Sequence, residues 1–158
     1  MFKFEKMIAW QKAVELADRA FDVADRLPQK HQFSLGEQLR RAALGITNNL
    51  AEGSGRRTPG SRRSFYDSAK GSTYEVVSIM AIALHRKDVS QAEFDAIYRA
   101  GDELASIISG LIDATFREEE ALAKSPRTLR EEEAEYQTQD EDDITLHSNS
   151  NSNSNSPL

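Results

Sequence analysis

Residues 35–51, Leu35-Gly36-Glu37-Gln38-Leu39-Arg40-Arg41-Ala42-Ala43-Leu44-Gly45-Ile46-Thr47-Asn48-Asn49-Leu50-Ala51, repeat apolar or small side chains at Leu35, Leu39, Ala42, Ile46 and Leu50. Steps of three and four place such positions on one stripe of an α-helix. Ser34, with Glu37 three residues on, has the form of a capping box, in which two orphan amides at a helix start are satisfied reciprocally. The same spacing recurs on either side. Upstream, Met7, Trp10, Val14, Ala17, Phe21 and Ala24 predict a helix over about 5–27, stopped by Pro28. Downstream, Phe65, Ala69, Ser72, Val76, Ile79 and Ala83 predict a helix over about 62–86. Phe94, Ile97, Gly101, Leu104, Ile108, Leu111 and Thr115 predict another over about 91–117, opened by a second capping box, Ser90 with Glu93.

No stretch sustains strand alternation, so the fold class is all-α. Helices of similar length joined by short connections favour antiparallel neighbours, hence an antiparallel up-down four-helix bundle with crossing angles near ~20°. Trp10, Phe21, Phe65 and Phe94 fall on the stripes and read as core anchors. The segment Gly53-Ser54-Gly55-Arg56-Arg57-Thr58-Pro59-Gly60 reads as a flexible, basic hairpin. Small residues inside the helices (Ala42, Ala43, Gly45, Ala69, Gly71, Ser72, Gly101 and Gly110) mark close helix contact, within one bundle or between subunits.

The chain has 158 residues and a formal net charge of -6, which averages two unlike pieces. Residues 1–117 hold 17 Lys and Arg against 15 Asp and Glu, whereas residues 118–158 hold 3 against 11. The C-terminal piece contains Glu131-Glu132-Glu133, Asp140-Glu141-Asp142-Asp143 and a Ser/Asn alternation from Ser148 to Ser156. Such composition buries too little apolar surface to offset its ordering entropy. The expected division is a bundle over 1–125 and a disordered acidic, Ser/Asn-rich tail over 126–158. The tail would serve either solubility or competition for the protein's own basic surface.

With no cysteine, thiolate metal sites and cysteine nucleophiles are excluded. His31, His85 and His147 are isolated and are expected to be exposed and without function. No Glu-x-x-His pair suited to a di-metal bundle occurs, and Gly53-Ser54-Gly55 lacks the ending of a phosphate-binding loop. Asp22 with Asp25 and Glu15 with Asp18 read as solvated helix faces. The expectation is therefore no enzyme, no cofactor and no metal. No apolar run reaches a membrane span of ~18 residues, and the first residues do not read as a secretory signal. A cytoplasmic protein is expected.

Binding has more support. Between Lys30 and Lys70, eight basic residues (Lys30, Arg40, Arg41, Arg56, Arg57, Arg62, Arg63 and Lys70) face only Glu37, Glu52 and Asp67. The planar arginine fork matches phosphate bidentately and stays charged. Arg40, Arg41, Arg56, Arg57, Arg62, Arg63 and Lys70 are thus candidate contacts to an RNA or DNA backbone. Pairing on the helix surface or between subunits is the alternative for them, Arg40 and Arg41 above all. Asn49 and Glu52 lie near the stripe and read as a structural polar network with Arg41 or a neighbouring helix.

The run Leu39-Arg40-Arg41-Ala42-Ala43-Leu44-Gly45-Ile46-Thr47-Asn48-Asn49-Leu50-Ala51-Glu52-Gly53-Ser54-Gly55-Arg56 resembles the signature of a bacterial four-helix-bundle family. That family includes proteins encoded in intervening sequences of 23S ribosomal RNA genes. The accessory variability determinant of diversity-generating retroelements is a relative. Trp10-Gln11-Lys12-Ala13 and Phe65-Tyr66-Asp67-Ser68-Ala69-Lys70-Gly71-Ser72-Thr73-Tyr74-Glu75 support the resemblance, which covers roughly Phe4 to Ala114. It implies a four-helix bundle assembled as a ring, a homopentamer in characterised relatives, and nucleic-acid binding through a basic surface. The expected function is a non-enzymatic homo-oligomer that binds RNA or DNA backbone around the turn between the second and third helices. The alternative is a protein-interaction scaffold recruiting a basic partner such as a reverse transcriptase.

Overall fold

Proline cannot continue a helix, and the first long helix, α1 (Ile8–Arg26), ends two residues before Pro28. The structure is a computed structural model that describes residues 1–124; the tail expected over 126–158 lies outside the described residues. A 3₁₀ turn, Phe4–Lys6, leads into α1. Beyond Pro28 come a single turn, α2 (Gln29–His31), and a π-helical turn, Gln32–Gly36. These run into α3 (Glu37–Gly55), followed by α4 (Pro59–His85) and α5 (Gln91–Ala123). Every regular element among the described residues is helical, with no strand. The four long helices match the expected count. No helix among them is long and apolar enough to cross a membrane.

The two expected capping boxes have different fates. Ser34 caps nothing: its hydroxyl donates to the His31 carbonyl at 3.3 Å, and Gly36, itself helical, precedes α3. The π turn feeds straight into α3, so no free helix start exists there to be capped. At α5 the box forms. Ser90 Oγ accepts from the Glu93 N–H at 3.2 Å, and Glu93 Oε2 accepts from the Ser90 N–H at 2.8 Å. Arg26 Nη1, at the end of α1, donates to Glu93 Oε1 at 2.7 Å. The Ser90 amide, the Ser90 hydroxyl and Arg26 together hold the Glu93 carboxyl down to about 2.

This gives a pH-dependent prediction. Glu93 binds a proton more weakly folded than unfolded, so its contribution is complete above its ordinary value of 4.5 and is lost as pH falls through about 2. Ser90→Ala should cost about 1 kcal/mol at neutral pH. In urea titrations the deficit should shrink as the pH is lowered towards 2.

The connection between α3 and α4 is shorter and more ordered than the flexible hairpin that its glycines suggest. Helix α3 continues through Gly55, and only Arg56-Arg57-Thr58 link it to α4. Thr58 Oγ1 accepts from the Ser61 N–H at 3.3 Å, and Pro59 occupies the first helical position, where its missing N–H costs nothing. Helix α4 ends in a Schellman motif. The Lys87 N–H donates to the Leu84 carbonyl and the Asp88 N–H to the Ala83 carbonyl, each at 2.9 Å. Lys87 takes the left-handed conformation this motif requires, with φ 64°.

Helix α3 packs on α1 and α4, and α5 packs on α4 and α1. Leu16, Leu39, Ile46, Leu50, Val76, Met80, Ile97, Leu104 and Ile108 are fully buried between them. On α1 the core face differs from the expected stripe. Ala9, Ala13, Leu16, Ala17, Ala20, Val23 and Ala24 are buried, while Trp10 and Phe21 pack half-buried at its edges, as Phe94 does on α5. Phe65 is likewise only half-buried. Small side chains let α1 lie close, whereas a large ring on the line of closest approach would push the helices apart. Close approach is explicit at Gly53 and Gly101. A Cβ at Gly53 would lie 2.8 Å from Tyr66 Cε1, and one at Gly101 would lie 2.8 Å from Val77 Cγ2. Gly71 and Gly110 face open space instead.

Candidate nucleic-acid interface

The short connection gathers Arg56, Arg57, Arg62 and Arg63 at one corner, where α3 ends and α4 begins. Arg62 has two tasks. Its Nη1 donates to the Arg57 carbonyl at 2.8 Å and to the Arg56 carbonyl at 3.4 Å, closing the end of α3. Its Nη2 pairs with Glu118 on α5. Arg63 Nη1 donates to Glu119 Oε2 at 2.6 Å and lies over the Phe116 ring, 4.1 Å from its centroid. Arg56 Nη2 donates to Glu52 Oε1 at 2.7 Å and lies 4.9 Å from the Phe65 centroid. Arg57 is the exposed member.

The corner is therefore less positive than its sequence reads. Side chains of Arg56, Arg62 and Arg63 are only 20, 18 and 23% exposed, and each has a carboxylate partner that is about half exposed. The acid facing Arg62 and Arg63 comes from the last turns of α5, which runs six residues beyond the expected end at Arg117; that facing Arg56 is Glu52 of α3. Acidic side chains near a helix C-terminus oppose the macrodipole; the facing arginines offset that. Tyr66 sits beneath the same corner. Burial pushes its phenol up, and the neighbouring Arg62 guanidinium pulls the other way.

The remaining sequence candidates are dispersed. Arg40 Nη2 pairs with Asp25 Oδ1 at 2.5 Å, tying the start of α3 to the end of α1. Arg41 is exposed and lines an open hollow of about 560 Å³ between α3 and α4, with Gly45, Asn48, Ser72 and Glu75. Lys70 lies 5.9 Å from the Tyr74 ring centroid. The expected polar network is instead two separate local bonds. Asn49 Nδ2 donates to the Gly45 carbonyl at 2.7 Å, and Glu52 holds Arg56.

Sequence reasoning missed one polar cluster. His31 is buried, contrary to the expectation of an exposed histidine. Its Nδ1 lies 2.7 Å from Asp88 Oδ2 and its Nε2 lies 2.6 Å from Arg86 Nη2. The Arg86 guanidinium can only donate, so Nε2 accepts, while Nδ1 and the Asp88 Oδ2 stand close without hydrogen-bond alignment. His85 is exposed, and His147 lies outside the described residues.

A search of curated proteins gave no match. A family model described as 23S rRNA-intervening sequence protein matches residues 5–110, close to the span the sequence motifs mark out. With that match over most of the chain, and four long helices carrying its motifs, the protein belongs to the 23S rRNA-intervening sequence protein family.

Proposed function

We propose that this protein is a non-enzymatic, homo-oligomeric bundle, antiparallel and up-down, that binds RNA or DNA backbone in the cytoplasm through the arginine corner. The observation that carries the reading is the convergence of Arg56, Arg57, Arg62 and Arg63 on one corner. The carboxylate partners of Arg56, Arg62 and Arg63 are half exposed, and such pairs contribute only about 0–1 kcal/mol. A phosphate can exchange for a glutamate there at small cost. The family's name is in keeping with an RNA-associated role.

Antiparallel packing is supported by pairs that run in opposite order along neighbouring helices. Lys12 and Arg26 of α1 pair with Glu103 and Glu93 of α5, while Arg62 and Arg63 at the start of α4 meet Glu118 and Glu119 near the end of α5. The hollow between α3 and α4, with Arg41 and Glu75 of opposite charge, is a surface on which copies can meet. A structural rather than a catalytic role is favoured at His31 and Asp88, because both side chains are buried and Arg86 stands against the His31 Nε2. A protein-interaction scaffold is the second reading. The acidic run Glu118–Glu120, which continues the acid-rich C-terminus, favours a basic partner.

The test is fluorescence anisotropy with a structured RNA and a DNA duplex across a salt series. Replacing Arg56, Arg57, Arg62 and Arg63 with Gln should weaken binding at least tenfold and reduce the salt slope by about 1 for each phosphate no longer neutralised. Circular dichroism must show the variant folded, since Arg62 also closes α3. Unchanged affinity and slope in the folded variant would remove the corner as the binding surface.

A further inference from the structure

The first residues build an aromatic ladder that leads outward from the edge of the bundle. The Phe2 and Phe4 rings stack 5.6 Å apart and within 10° of parallel, and Phe4 packs on Trp10 at 4.9 Å. Phe2 remains 70% exposed. The ladder is held in place. The Phe2 N–H donates to Glu5 Oε2 at 3.1 Å, Gln11 Nε2 donates to the Glu5 carbonyl at 2.9 Å, and the Met7 N–H closes the turn on the Phe4 carbonyl at 2.9 Å. Lys3 and Lys6 beside it are exposed. A hydrophobic ring displayed to water on a pinned turn, with cations at its margin, is the pattern of a base-stacking platform: every nucleobase offers a π face, and lysines meet the adjoining phosphates.

Its position strengthens the case. Helices α1 and α3 each have 19 residues. Asp25 near the end of α1 pairs with Arg40 near the start of α3. In the antiparallel arrangement the start of α1 then lies level with the end of α3, and the Phe4–Lys6 turn does pack on α3. The ladder and the Arg56–Arg63 corner share one end of the molecule. A strand whose backbone follows the arginines can lay an unpaired base on Phe2; a duplex, whose bases are already stacked, cannot.

We propose that Phe2, backed by Phe4 and Trp10 and flanked by Lys3 and Lys6, is a stacking site for an unpaired nucleobase, so that the preferred ligand is single-stranded nucleic acid. This rests on the backbone-binding reading above and adds to it a class of ligand. Trp10, the chain's one tryptophan, is an internal reporter at the base of the ladder.

The experiment titrates the full chain with a labelled oligoadenylate, an abasic oligomer of equal charge, and a DNA duplex, reading anisotropy and Trp10 emission. Phe2→Ala should weaken oligoadenylate binding about tenfold, leave the duplex and the abasic oligomer unchanged, and abolish the Trp10 response; Phe2→Trp should restore affinity. Phe2 lies outside the core, so these variants should fold like the parent. Equal binding of oligoadenylate by parent and Phe2→Ala, alongside a loss in the arginine variant, would overturn the stacking site and keep the backbone reading. A change in oligomer size on Phe2→Ala, measured by light scattering, would assign the ladder to a subunit contact and overturn the proposal. Absence of binding to any of the three by the parent at low salt would overturn both.

Discussion

His31→Ala should lower the stability of the protein by about 3 kcal/mol, the scale on which removing a neighbour strands a buried carboxylate. The Asp88 side chain is 7% exposed, and His31 Nδ1 stands 2.7 Å from its Oδ2, with Arg86 Nε farther off at 3.6 Å. Without the imidazole, the carboxylate must desolvate alone or drag water into the turn after α4. The effect should show as a fall of ~10 °C in Tm. Removing both groups should cost less than the sum of the single losses, because the double variant leaves no stranded charge. A strictly additive cycle would mean that the pair contributes nothing beyond two separate side chains.

Leu104→Ala should cost about 2–5 kcal/mol through lost burial and the cavity left behind. Leu104 has 0% exposure and sits on α5, the helix that packs on both α4 and α1. Leu44→Ala is the control: the side chain is 47% exposed, and its loss should fall within about 0.5 kcal/mol. Chemical denaturation of both variants checks the contrast. A Leu104 cost no larger than that of Leu44 would mean that the bundle repacks freely.

The helices were legible because period and breakers agree. Pro28 ends α1, and the Ser90–Glu93 box opens α5 where spacing places it. Which face of α1 is buried was not legible. Trp10 and Phe21 dominate any reading weighted by side-chain size, yet alanines line the contact because interhelical distance is set by the smallest residues on the line of approach. Thr58-Pro59 is a helix start that sequence reasoning passed over in favour of the surrounding glycines.

At the candidate site, the arginines could be read but their partners could not. Glu118 and Glu119 lie 56 residues from Arg62 and Arg63, and no local spacing rule spans that interval. His31 was misread for the same reason: its partner lies on the far side of α3 and α4 in the chain, and only the fold brings Asp88 beneath it. The polarity of a residue is local information, whereas its satisfaction is tertiary.

The π-helical turn at Gln32–Gly36 bears on how such a chain can change length over evolutionary time. A π turn holds one residue more than an α turn over the same rise, so it can absorb a deletion by relaxing to α geometry while the helices on either side keep their phase. The connection Arg56-Arg57-Thr58 has no such slack. One residue added within α4 just beyond it would rotate the following faces by ~100° and carry Ala69, Thr73 and Val76 out of the core. Insertions and deletions among relatives should therefore collect at the π turn and be purged from the start of α4.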